Sequence, residues 1–360
     1  MTTEEKYMHR CLQLAKNGLG YTAPNPMVGA VIVHNDKIIG EGFHIKYGEA
    51  HAEPNAINAV ADQSLLTDST IYVNLEPCSH FGKTPPCAAL IIESKIPRVV
   101  IGSIDPNPLV SGQGIKMMQD AGIEVITNVL DSENRELNKR FFTFQEKKRP
   151  YILLKWAQSV DGFIDGERVD KLTPPTQFSS AITQTLNHKT RAEEAAILVG
   201  TNTVLMDNPH LTTRLWAGKN PLRVAIDKTG RIIGDSKDAM YCLSTGKTAY
   251  NILNDSAPTI IFTERPSVNI GTISYVLLDF SKDIIPQILD ELYKRNINSL
   301  IVEGGRKLLQ SFIDAGQWDE ARVEVASIKI GKGVEAPIIS MSYFEQEESV
   351  EGNKLMWFRK

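Results

Sequence analysis

Apolar positions along the first 130 residues follow two periods in turn, and their succession predicts a layered α/β unit. Thr2-x-x-Glu5 has the form of a capping box, and Tyr7, Cys11, Leu14 and Ala15 fall near one helical face, with a stop near Gly18. A polar, Pro-rich turn over 22–26 follows. Residues 27–33 and 37–43 read as two strands joined at Asn35-Asp36. The pattern then gives a helix over 51–61, a strand over 70–75, a helix over 86–93, a strand over 98–104, a helix over 112–121 and a strand over 124–129. Strands alternating with helices predict a mostly parallel sheet sandwiched by helices, with a hairpin at one edge.

Residues 133–150 are charged and predict a helix in which Leu137, Phe141 and Phe144 share a face, broken by Lys147-Lys148-Arg149-Pro150. That basic run is the expected domain boundary, dividing the chain into 1–146 and 147–360. Beyond it a second α/β pattern begins, with short apolar runs at 151–156, 196–199, 222–226, 259–262 and 300–302. A chain of 360 residues agrees with two domains at roughly 100–200 residues each.

Charge and composition narrow the partners. A net charge of −4 lacks the basic footprint of a nucleic-acid binder, although a small phosphorylated substrate needs only one local cluster. No stretch is long and apolar enough to predict a membrane span, and the opening MTTEEKYMHRCLQ lacks the pattern of a signal peptide. The cytoplasm is therefore the expected location. Four cysteines are too few for a disulfide scaffold, and in a reducing compartment clustered cysteines point to metal or catalysis.

Such a cluster is present as His51-Ala52-Glu53, Pro77-Cys78 and Cys87. One imidazole and two thiolates suit Zn²⁺, and three protein ligands leave the fourth position open for water, as in catalytic sites. Glu53, two residues from His51, would lie near the metal without ligating it and carry protons. This is the zinc-deaminase order of His-x-Glu and Pro-Cys…Cys. A closed structural site is the competing reading, with His80 as fourth ligand. Cys11 and Cys242 fall outside the pattern and read as core thiols.

These motifs, in PNPMVGAV, GEAHAEPNAI and LEPCSHFGKTPPC, together with Asp105-Pro106-Asn107-Pro108, resemble the bifunctional riboflavin-biosynthesis deaminase–reductases. Eight residues separate the cysteines, where most cytidine and tRNA-adenosine deaminases have two. The resemblance implies a cytidine-deaminase-like α/β/α sandwich in which His51, Cys78 and Cys87 hold one zinc and Glu53 shuttles protons. Asn25, His44, Lys83, Asp105 and Asn107 would contact a diaminopyrimidinone bearing a ribose 5-phosphate. Taken alone, Asn25, Asp105 and Asn107 are turn residues beside prolines, and Lys83 is a loop lysine.

In the second half, LKWAQSVDG at 154–162, AILVGTNTV at 196–204, Asp207-Asn208-Pro209 and Leu211-Thr212-Thr213-Arg214 are similar to the same family's reductase domain. That domain resembles the dihydrofolate-reductase fold and implies hydride transfer from NADPH to the ribosyl group. By position, Gln158, Thr203, Asp207 and the turn Gly305-Arg306-Lys307-Leu308-Leu309-Gln310-Ser311 would border the cofactor. Arg191, Leu211, Arg214 and Glu303 would face substrate, and Lys155 could point into the same site. A homo-oligomer is expected by analogy. The sequence departs from the family at Pro175 and Gln177, where a serine and a tryptophan are common, and in a charged, longer stretch over 165–174. A deaminase with an impaired reductase is thus one alternative, and a nucleic-acid editing deaminase or a zinc-stabilised scaffold are others.

Overall fold

The computed structural model describes residues 1–79, 85–107, 110–232, 250–266 and 268–360. The chain forms two compact units, Met1–Lys148 and Arg149–Lys360.

In the first unit, helix α1 (Thr3–Ala15) starts on the capping box. The Glu5 amide donates to Thr2 Oγ1 at 3.2 Å and the Thr2 amide to Glu5 Oε2 at 2.8 Å. Strands β1 (Gly29–His34) and β2 (Lys37–Phe43) form the expected hairpin, and helix α2 (Ala52–Asn58) follows. After α2 come β3 (Thr70–Leu75), α3 (Cys87–Glu93), β4 (Arg98–Ser103), α4 (Gln113–Asp120) and β5 (Glu124–Ile126). The sheet order is β2-β1-β3-β4-β5, with β3, β4 and β5 parallel and the hairpin antiparallel at one edge. Alternation along β1 splits the core. Ala30 and Ile32 pack with residues of α2, α3 and α4, while Val31 and Val33 pack with Tyr7, Met8, Cys11 and Leu14 of α1. Cys11 is thus the core thiol the pattern implied; Cys242 lies outside the described residues.

Helix α2 sits unusually close to β2. A Cβ on Gly42 would lie 2.4 Å from the Ala56 amide nitrogen and 2.6 Å from the Ala52 carbonyl oxygen, so only glycine admits this approach. The helix stops before the expected residue 61, because the Gln63 side chain takes the Ile57 and Val60 carbonyls at 2.9 and 2.8 Å. The single helix expected over 133–150 is two, α5 (Asp131–Leu137) and α6 (Lys139–Lys147). The break falls at Asn138, whose buried amide binds both the N–H and the C=O of Met27, at 2.8 and 2.9 Å.

The second unit contains β6 (Tyr151–Ser159), β7 (Phe163–Gly166), α7 (Ala181–Glu193), β8 (Ala196–Gly200), α8 (Thr201–Asp207), β9 (Leu222–Ile226), β10 (Thr259–Thr263) and β11 (Ile273–Leu277). It continues with α9 (Ile284–Lys294), β12 (Ser299–Glu303), α10 (Arg306–Asp314), β13 (Glu320–Ala326), β14 (Gly333–Glu335), β15 (Phe344–Val350) and β16 (Asn353–Arg359). Its main sheet runs β11-β10-β9-β8-β12-β6-β13-β16-β15. Strands β11 through β13 are parallel, and β16 and β15 close that edge antiparallel. All five expected strands are present, and their apolar residues fill two cores on the two faces of the sheet. The chain passes from β6 to β8 and later inserts β12 between them, so the carboxyl ends of these three strands define one crevice.

Candidate active sites

His51 occupies the N-cap of α2 with extended backbone, and Glu53 lies in the first turn. Cys87 opens α3. His51 Nδ1 lies 3.7 Å from Cys78 Sγ and 3.4 Å from Cys87 Sγ, and all three donor atoms lie within 4.8 Å of one another. Bond lengths of about 2.3 Å to sulfur and about 2.05 Å to nitrogen in a tetrahedral site require N···S separations of about 3.5 Å. The donor set and its spacing therefore fit zinc. The Cys87 amide also donates to Cys78 Sγ at 3.3 Å. The Cys87 hydrogen bond, aided by His51, holds the Cys78 thiol down to about 4, whereas Cys87, bonded to Cys78 and buried, is raised; the pair favours a first thiolate at Cys78. His51 is raised, chiefly by its contact with Cys78.

Glu53 is buried, and its Oε2 has no hydrogen-bond partner among the described residues. Burial raises its pKa, only partly opposed by the charge of His51. A buried carboxylate with one free oxygen, two residues from His51 of a metal-type cluster, is poised to accept and release a proton.

His44 stacks edge-on to His51 with ring centroids 5.3 Å apart. Its Nδ1 lies 3.0 Å from the Ala50 carbonyl, which fixes Nδ1 as the donor and leaves the buried Nε2 an unpartnered acceptor. Asp105 is buried, and that burial raises its pKa to about 6 although its Oδ1 accepts from the Asn107 amide at 2.8 Å. Asn25 is half-buried in a turn closed by its amide on the Thr22 carbonyl at 2.9 Å. Lys83 and His80 lie outside the described residues.

Sequence reasoning missed Glu76. Its carboxylate receives the amides of Asp105, Gly112, Gly114 and Ile115 at 3.0 to 3.3 Å, tying the loop that carries Asp105 and Asn107 to the start of α4. The signal was an acid embedded in the Leu75-Glu76-Pro77 run at a strand end.

In the second unit a cavity of about 1100 Å³ opens at the carboxyl ends of β6, β8 and β12. It is lined by Lys155, Arg191, Thr203, Asp207, Leu211 and Glu303, and by Gly305-Arg306-Lys307-Leu308 of the glycine turn. Gly304 has φ +125, and a Cβ there would lie 2.9 Å from Thr203 Oγ1, so this turn requires glycine. Thr203 Oγ1 in turn accepts from the Gly305 amide at 3.2 Å. The turn feeds the N-terminus of α10, a geometry suited to phosphate groups. Cavity size, glycine turn and helix start together fit a dinucleotide such as NADPH.

Arg191 Nη2 donates to Glu303 Oε2 at 2.8 Å, while Arg191 Nε is buried without a partner among the described residues. Burial would raise Glu303, but the charges of Arg191 and Lys155 outweigh it and hold the carboxylate low. Burial pushes the Lys155 ammonium down, with Glu303 opposing. Other residues singled out in the sequence do not line the cavity among the described residues. Gln158 Oε1 accepts from Trp156 Nε1 at 2.7 Å, Leu309 is fully buried in the core, Gln310 Nε2 donates to Asp314 at 2.8 Å, and Ser311 Oγ donates to the Leu308 carbonyl at 2.7 Å. Arg214 is exposed; its amide donates to His188 Nδ1 at 2.9 Å.

An α/β/α unit carrying a His/Cys/Cys cluster beside a buried glutamate, followed by a unit with a dinucleotide-sized crevice, defines a zinc deaminase joined to a nucleotide-dependent reductase. The comparisons agree. Residues 1–103 match the cytidine and deoxycytidylate deaminase zinc-binding region, and residues 150–354 match the RibD C-terminal domain. The chain belongs to the RibD family of riboflavin biosynthesis, bifunctional enzymes with deaminase and reductase activities that use zinc and NADPH. It is 38% identical to the riboflavin biosynthesis protein RibD of Aquifex aeolicus, covering 98% of this chain and 95% of that one. With the Bacillus amyloliquefaciens protein of the same name the identity is 41%, over 96% and 91%. A Thermotoga maritima crystal structure, described as a diaminohydroxyphosphoribosylaminopyrimidine deaminase/5-amino-6-(5-phosphoribosylamino)uracil reductase, superposes with a TM-score of 0.86 at 38% identity, covering 99% and 98% of the two chains. No helix among the described residues is long and apolar enough to cross a membrane.

Proposed function

We propose that residues 1–146 hydrolytically deaminate 2,5-diamino-6-ribosylamino-4(3H)-pyrimidinone 5′-phosphate, and that residues 147–360 reduce the ribosyl group of the product to a ribityl chain with NADPH. The observation that carries the reading is the buried, unpartnered Oε2 of Glu53 beside three donor atoms at zinc spacing.

His51, Cys78 and Cys87 would hold the metal. Zinc bound there supplies the Lewis acidity that makes water a nucleophile near neutral pH. Glu53 takes one proton of the attacking water and delivers it to the adjacent ring nitrogen, then takes the second from the new C–OH group and passes it to the departing amine, so that the C–N bond breaks, ammonia leaves and oxygen replaces nitrogen on the ring. The acceptor Nε2 of His44 and the side chains of Asn25, Asp105 and Asn107 present hydrogen-bonding groups for the pyrimidinone edge and ribose, with Lys83 assigned to the phosphate.

In the reductase, NADPH supplies the hydride. Thr203, Asp207 and the 305–308 turn would seat the cofactor, and Leu211 would pack against the substrate. The unpartnered Arg191 Nε would hold the 5-phosphate, while Lys155 and Glu303 orient the ribose; Arg214, exposed and outside the cavity lining, has no part in this reading. A small phosphorylated pyrimidine accounts for this distribution of charge without a nucleic-acid partner.

Glu53→Gln tests the first step, because it keeps the size of the side chain and removes its basicity. The variant should retain about one zinc per chain and lose deamination by roughly 10²-fold or more. A fully active Glu53→Gln protein would end the assignment.

A further inference from the structure

The charged stretch over 165–174 carries an arginine that does not behave as a surface residue. Val169 and Leu172 on either side are almost fully exposed, yet the Arg168 side chain retains 10% of its accessible surface. Its guanidinium reaches three segments at once. Nε donates to Asp165 Oδ2 at 2.6 Å, Nη2 to Asp207 Oδ1 at 2.5 Å, and Nη1 to the Thr173 and Met206 carbonyls at 3.4 and 3.5 Å. Asp165 extends the tie through Oδ1, which receives the amides of Gly166 and Thr176 at 2.9 and 3.0 Å and the Thr176 hydroxyl at 2.9 Å. The end of β7, the loop up to Thr176 and the last turn of α8 are thus joined by one planar fork. A lysine, with a single point charge, cannot hold two carboxylates in that geometry.

Asp165, Arg168, Met206 and Asp207 all line the cavity, as do Pro175 and Phe178 farther along the same loop. Gln177 adds nothing to this wall: it is exposed, and its amide donates to the Ser179 carbonyl at 3.0 Å. The position of this wall, including Pro175 and Phe178, is therefore set by where the fork holds its backbone. Asp207 is part of the wall; burial raises its pKa, opposed by the Arg168 guanidinium.

We propose that Arg168 is a positioning residue for the reductase: by clamping the 165–176 loop to α8 it forms the cofactor-side wall of the cavity and sets the affinity for NADPH. The proposal rests on the reading of this cavity as the NADPH site, and the test separates the two. NADPH binding to the full-length protein is measured by nucleotide fluorescence for wild type, Arg168→Met, Arg168→Lys and Gly305→Trp, alongside melting temperature and the KM for the deaminated pyrimidine. Arg168→Met is expected to weaken NADPH binding about tenfold or more, while the pyrimidine KM moves by less than about twofold. Arg168→Lys, which keeps the charge and the stem, is expected to melt like wild type and still bind NADPH weakly. If Arg168→Met or Arg168→Lys binds NADPH as wild type does while Gly305→Trp does not, the role of Arg168 is overturned. If Gly305→Trp, which puts an indole on the glycine turn that lines the cavity, binds NADPH normally, the reading of the cavity itself fails.

Discussion

His188 shows how one buried ring ties protonation to the reductase unit. Its Nδ1 accepts the Arg214 amide at 2.9 Å, so the neutral form is the one that holds the segment carrying Arg214. Burial, and then the charges of Arg191 and Arg214, lower its pKa to about 4. Between pH 6.5 and that value the unfolded chain binds a proton that the folded one does not, so stability falls as pH drops from about 6.5 and levels off below the folded value. His188→Gln does not titrate and escapes this loss. Urea unfolding at pH 7 and at pH 5 should show the stability gap between wild type and variant narrowing in acid; a gap that widens contradicts the assignment. Glu76 makes a second prediction at the same scale. A glutamine there aims one N–H₂ group at backbone donors, and Glu76→Gln should cost about 1–3 kcal/mol and weaken substrate binding at the Asp105 loop. Equilibrium unfolding and the deaminase KM check it.

At the scale of elements, the metal cluster is only as well placed as α2 and α3. The first turn of α2 carries Glu53 and its N-cap is His51, and the helix reaches β2 because Gly42 has no side chain. Gly42→Ala drives a methyl into the α2 backbone, and overpacking of this kind typically costs about 1–3 kcal/mol. Zinc content should fall with stability, since α2 must shift relative to Cys78 and Cys87. Metal analysis after dialysis measures it, and a variant with unaltered zinc and stability would show that the close contact is not required. The sequence disclosed α2 well because its apolar face is helical and local. It did not disclose the break at Asn138, whose side chain is held by Met27, a partner 111 residues away. Nor did it disclose β13 or β15. Glu320 and Glu324 look like solvent-facing positions, yet they are buried, and Glu324 accepts from Ser179, Thr183 and Asn353. Strand β15 reads FEQEESV and is almost wholly exposed, so no apolar alternation marks it.

Across the whole molecule, each unit has its own apolar cores and its own chemistry. The same contrast governs what was legible in the sites. The His51, Cys78 and Cys87 cluster was readable because metal ligation demands fixed residue types at characteristic spacings. Glu76 and Arg168 were not, because their importance lies in partners 29 to 39 residues distant. Separate cores and separate chemistry predict separable activities. Removing zinc with a chelator should abolish deamination while NADPH oxidation with the deaminated intermediate continues at its original rate. Loss of both activities together would contradict that independence.

The central claim concerns a metal held by three side chains with one position left for water, and X-ray absorption at the zinc edge of the purified protein addresses it directly. The account predicts two sulfur neighbours at about 2.3 Å, one imidazole nitrogen at about 2.05 Å and one light oxygen neighbour that exchanges with solvent. A shell completed by a second imidazole or a third sulfur, with no exchangeable position, would contradict it.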